Sequence, residues 1–152
     1  MQAHGSNPGS GAGGVFRRIL VGFDGSPDAQ RALRIAIAMA VDLRAATHVL
    51  LVVRQPPHAE TAEELAAAAE AERERLSLGL SGVGSGSKGG GEVTTHVVFG
   101  DDPAKTIAGY AQEHGFDLVV VGGHGREHVV HRGIGHSLEA LLQHHPCPVL
   151  VA

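Results

Sequence analysis

The residues best placed to do chemistry are glycines. Gly122-Gly-His-Gly125 follows the apolar run Leu118–Val121 directly, and after nine further residues comes Gly135-His-Ser137. A strand that empties into a glycine-rich loop leading to a helix lets bare backbone N–H groups approach an anion and aims a helix N-terminus at it. The chemistry this offers is phosphate binding. On glycine spacing alone, the simpler reading is a flexible surface loop. A second glycine-marked loop, Gly22-Phe-Asp-Gly-Ser26, closes the apolar run Arg18–Val21. Its Asp24 is either a turn residue accepting nearby backbone N–H groups or a polar contact to the same ligand.

Histidine is the other reactive residue type in quantity. Eleven occur, seven of them between 114 and 145. His124, His128 and His131 would share one face of a helix at a spacing compatible with zinc, but glycines at 122, 123 and 125 oppose a helix there. Beyond Glu127 nothing completes a ligand set, so no metal site is assigned and the segment reads as a solvated loop. No nucleophile–base–orienter set is visible. Ser137 adjoins His136, yet adjacent residues on a helix do not face each other. Cys147, between two prolines, reads as a small buried hydrophobe.

These loops need elements to hold them. Arg18–Gly22 has the pattern of a strand buried on both faces. Ser26 is placed to cap a helix and Pro27 to occupy its first turn, with the helix running to about Arg44 on Ala29, Leu33, Ile37 and Val41. Thr47–Val53 is a second strand, broken by Gln55-Pro-Pro57. Ala59–Leu80 makes a second helix with a weak apolar stripe (Leu65, Ala69, Leu76, Leu80). Glu92–Phe99 is a third strand. Asp102 caps, and Pro103 opens, a third helix through Ala104, Ile107, Ala108 and Ala111, which stops at Gly115. Asp117–Gly122 is a fourth strand. Leu138, Leu141 and Leu142 give a fourth helix its core face, and Val149–Ala152 is a final strand.

Strands alternating with helices imply a parallel, doubly wound α/β sheet. With five strands in the order 3-2-1-4-5, the winding reverses between strands one and four. Ligands of such sheets bind outside the carboxyl ends of the strands at that reversal, which brings the two glycine-marked loops together.

Composition bounds the rest. The chain has 152 residues, 43% hydrophobic and 18% charged, with a formal net charge of −4. It suits one soluble domain, residues 15–152, preceded by a Gly/Ser-rich tail, 1–14, expected to be disordered. Ser81–Gly91 reads as a flexible Gly/Ser linker inside that domain. Five aromatic residues and an acidic balance argue against nucleic acid as a partner. A single cysteine fits a reducing compartment. The first residues lack a signal-peptide pattern, and no apolar stretch approaches the ~20 residues that span a membrane. The expected location is the cytoplasm, with no membrane partner.

Four segments, in this order, resemble the universal stress protein family over Arg17–Ala152. They are Ile19-Leu-Val-Gly-Phe-Asp-Gly-Ser26, Gly100-Asp-Asp-Pro-Ala104, Asp117–Gly122 and Pro146-Cys-Pro-Val-Leu-Val151. The resemblance implies a nucleotide-binding-type α/β fold, a dimer and a role in stress adaptation. One branch of that family binds ATP through Gly-x2-Gly-x9-Gly-Ser/Thr. Carried over, Gly122, Gly125 and Gly135 would line the phosphates, Asp24 would lie near the nucleoside, and the end of the second strand around Val53 would accept the base.

The sequence departs from that motif at His136, where it has Ser or Thr, and at Leu138. Two hydroxyl donors are absent unless Ser137 turns inward. A protonated His136, with Arg126 and the other loop histidines, could supply positive charge in their place, so that affinity rises as pH falls. The expected ligand is ATP, with or without Mg²⁺, for which Asp24 has no second carboxylate beside it. Slow ATP hydrolysis stays open, with no residue assigned to it. The expected function is a dimeric regulatory module responding to an adenine nucleotide, joined through Val149–Val151 and offering its surface to a protein partner. The alternatives are a dimeric scaffold of the same fold without ATP binding and a histidine-rich metal-binding protein.

Overall fold

The computed structural model describes residues 15–80, 93–123, 141–143 and 147–152. Among the described residues the elements follow in the order β1 (Arg18–Gly22), α1 (Pro27–Leu43), β2 (Ala46–Val53), α2 (Ala62–Leu80), β3 (Val93–Phe99), α3 (Pro103–Glu113), β4 (Leu118–Val121) and β5 (Val149–Val151). The strands form one sheet in the order β3-β2-β1-β4-β5, and every neighbouring pair is parallel. This is the fold and the strand order expected from the sequence. The expected tail 1–14, linker 81–91 and most of the fourth helix lie outside the described residues.

Parallel strands need cover on both faces, and alternate residues of β1, β2 and β4 divide accordingly. Ile19, Val21, Val49, Leu118 and Val120 pack against Ala32, Leu33, Ala36, Ile37 and Ala40 of α1 and against Leu76 and Leu80 of α2. Leu20, Leu50, Val119 and Val121 face the other way, onto Ala104, Ile107, Ala108 and Ala111 of α3, together with Phe116 and Leu141. Cys147 is half-buried against this second cluster, and burial, with the Asp117 carboxylate adding to it, pushes its thiol pKa up. It is a packed hydrophobe with little thiolate character, as its sequence setting suggests.

Both expected caps form. The Ser26 hydroxyl accepts the Ala29 N–H at 3.1 Å with Pro27 opening α1, and the Asp102 carboxylate accepts from Ala104 and Lys105 with Pro103 opening α3. Arg44, rather than a glycine, ends α1 in the left-handed region (φ 55°), returning its N–H to the last turn. Gly115 beyond α3 has φ 69°, the conformation that suits glycine there.

The second helix corrects its expected start at Ala59. Thr61 and Glu64 form a capping box: Thr61 Oγ1 accepts the Glu64 N–H at 3.1 Å, and the Glu64 carboxylate accepts the N–H groups of Thr61 and Glu60. These bonds fix the chain reversal ahead of Ala62, so Ala59 turns instead, bonded to the Pro56 carbonyl. Strand ends shift by a residue: β2 begins at Ala46, β4 covers Leu118–Val121 and β5 stops at Val151. No helix among the described residues is long and apolar enough to cross a membrane.

Candidate functional site

β1 and β4 lie side by side at the centre of the sheet, with α1 crossing one face and α3 the other. Their C-terminal ends release the Gly22–Ser26 loop and Gly122 at the same edge, which is where the winding reverses. Two further strand ends meet that edge. The Val53 carbonyl accepts the Gly100 N–H at 3.0 Å, tying the exit of β2 to the exit of β3. Gly123 N–H donates to the Ala152 carbonyl at 3.1 Å, tying the exit of β4 to that of β5.

The first loop is built by its own polar groups. Asp24 Oδ1 accepts the Ser26 N–H at 2.9 Å, an Asx turn that aims the chain into α1. The Ser26 hydroxyl holds the Ala29 N–H, and Pro27 has none. The N–H groups of Ser26 and Ala29 are thereby committed to the turn and the cap.

Gly122 has a packing role that its place in a glycine motif does not disclose. A Cβ built there would stand 2.7 Å from the Asp28 carbonyl carbon and 2.9 Å from the Ala29 nitrogen. The exit of β4 thus runs against the backbone of the first turn of α1. Only glycine permits that approach, and it seats the exit of β4 on the start of α1.

Of the residues expected to form the site, Asp24, Val53 and Gly122 lie at the C-terminal end of the sheet, after or at the ends of β1, β2 and β4. Gly125, Arg126, Gly135, His136 and Ser137 lie outside the described residues, as do His124, His128 and His131. Among the described residues no three His, Cys, Asp or Glu side chains converge as a metal would need.

The strand order and the crossing helices define a doubly wound α/β protein whose winding reverses between β1 and β4. The model of the universal stress protein family matches residues 16–152, and the chain belongs to that family. No curated protein sequence matches it. Solved structures of similar fold include the universal stress protein UspA of Lactobacillus plantarum, 27% identical over 90% of this chain and 97% of that one, with a TM-score of 0.67. Another is the universal stress protein of Archaeoglobus fulgidus in complex with dAMP, 22% identical over 90% and 98% of the two chains, TM-score 0.63. A third is a universal stress protein in complex with cAMP, 22% identical over 90% and 96%, TM-score 0.60.

Proposed function

We propose that this chain is a regulatory module that binds an adenine nucleotide, ATP foremost, in the crevice at the C-terminal ends of β1 and β4. The observation that carries the reading is the seat of Gly122 on the first turn of α1, which sets the exit of β4 beside the helix that the Asp24 turn leads into. Proteins of this fold bound to dAMP and to cAMP support adenine as the base.

The residues fit such a ligand. Asp24 and the backbone around Val53 would take the nucleoside, and Gly122, Gly125, Arg126, Gly135, His136 and Ser137 would take the phosphates. Mg²⁺, when present, would be held chiefly by the phosphates themselves. The module would act as a cytoplasmic single-domain dimer, joined along β5, with occupancy altering the surface shown to a protein partner.

Native mass spectrometry of the purified protein, followed by calorimetric titration with ATP, AMP and cAMP, tests the reading. Co-purified adenine nucleotide, or saturable binding that His136→Ser tightens near pH 8, supports it. Absence of binding to all three would overturn it in favour of a scaffold of the same fold.

A further inference from the structure

The second face of the sheet carries a polar cluster away from the crevice. His48 is the third residue of β2 and His96 the fourth of β3, and their side chains meet beside α3. His48 Nδ1 and His96 Nε2 are 2.9 Å apart. The rings are nearly parallel (13°) and their centroids are 5.2 Å apart. That centroid distance is the 2.9 Å gap plus about the two imidazole radii, so the rings lie end to end in nearly one plane, with in-plane nitrogens pointing at each other.

That geometry selects the occupant of the gap. A metal at the midpoint would sit at half of 2.9 Å from each nitrogen, well short of the roughly 2.0 Å zinc–nitrogen bond. A single proton fits. It also links the tautomers: if His48 donates from Nδ1, His96 accepts at Nε2 and keeps its proton on Nδ1, whereas if His96 donates, both rings carry theirs on Nε2. Both rings share one tautomer in either case. Two protons cannot share the gap, because both facing nitrogens would then be donors.

We propose that the His48–His96 pair is an acid-sensitive latch on the edge strand β3, closed by one shared proton and opened when both rings are protonated. The groups around it favour a neutral pair. Arg18 comes from β1, its guanidinium 4.6 Å over the Phe116 ring. Phe116 stands edge-on to His48 with centroids 5.0 Å apart. From α3, Tyr110 approaches His96 at 5.7 Å and lies tilted against His114 at 4.2 Å, with Glu113 and the carboxylate of Asp117 at the margin. α2 packs on the opposite face through Leu76 and Leu80. Burial is the main influence on both rings. After it come His96 and then Arg18 for His48, and His114 and then Arg18 for His96, and all lower the pKa.

The sign follows from linkage. A native histidine held below its unfolded pKa of about 6.5 contributes stability that is fully present above that value and is lost as pH falls toward the native pKa. The loss should concentrate at β3, which among the described residues hydrogen-bonds to one neighbouring strand, β2. Opening then frees the strand whose exit is tied, through Gly100, to the exit of β2.

Two measurements on the full chain test this. In ¹⁵N-imidazole NMR, His48 and His96 should show one common tautomer and titrate as a coupled pair below the free-imidazole range. Independent titration at the ordinary value, or opposite tautomers, would overturn the latch. In hydrogen exchange, protection factors at β3 amides such as Val97 should fall at least tenfold more than those at Val120 of β4 between pH 7 and pH 5. The His48→Phe/His96→Phe double variant should abolish that difference. A double variant that keeps it overturns the proposal, and the NMR titration of the unaltered protein decides the matter should that variant fail to fold.

Discussion

Gly122 and Asp24 each have a structural role and a proposed ligand role, and substitution separates the two. Gly122→Ala sets a methyl group against backbone that cannot swing aside, so it should cost about 1–3 kcal/mol in urea denaturation. Asp24→Asn keeps an oxygen for the Ser26 N–H, and stability should stay within about 0.5 kcal/mol. Nucleotide affinity should nevertheless fall about tenfold in calorimetry, the worth of one charge-assisted hydrogen bond. Unchanged affinity would leave Asp24 a turn residue only. At this scale the sequence is legible where a residue acts through its neighbours, as Ser26, Asp102 and Asp24 do. The packing duty of Gly122 and the His48–His96 pair depend on contacts between segments far apart in sequence. The crowd of histidines after position 114 draws attention, while the two that meet are isolated on separate strands, and only their shared face in the parallel register hints at contact.

Elements announced themselves through caps and prolines, and these contributions should be measurable one at a time. Asp102→Ala removes the side-chain acceptor of two N–H groups and should lower stability by about 1 kcal/mol. α2 was the least legible helix. Its alanine- and glutamate-rich surface binds itself through the Arg73–Glu70 and Arg75–Glu72 pairs, and of its side chains only Leu76 and Leu80 are buried. Leu76→Ala should cost about 2–4 kcal/mol, whereas Leu78→Ala, at a residue 77% exposed, should be close to neutral. The early boundary at Ala59 has a definite cause: the Thr61-Ala-Glu-Glu64 capping box lay in plain sequence behind a stronger proline signal.

For the whole molecule, strand order was legible because right-handed crossovers leave few ways to place five parallel strands around two glycine-marked loops. Assembly is a proposal that β5 can test. Leu150 packs on the α1 face and Val151 is 43% exposed, so Val151→Lys probes the edge without entering the core. Light scattering at micromolar concentration should show a dimer for the unaltered chain and a monomer for the variant. The central seam of the sheet carries a further consequence, for the order in which the chain folds. Asp117 grips the N–H groups of Arg17 and Arg18 at 2.9 and 3.0 Å, and it returns its own N–H to the Arg18 carbonyl. These partners are 99 and 100 residues apart. β1, β2 and β3 can pair across shorter loops, whereas the clasp must wait for the longest closure in the sheet. It should therefore form after the rate-limiting barrier. Asp117→Asn would then quicken unfolding by about tenfold in stopped-flow denaturant jumps while leaving the refolding rate unchanged. A slowed refolding limb would instead place the β1–β4 seam in the folding nucleus.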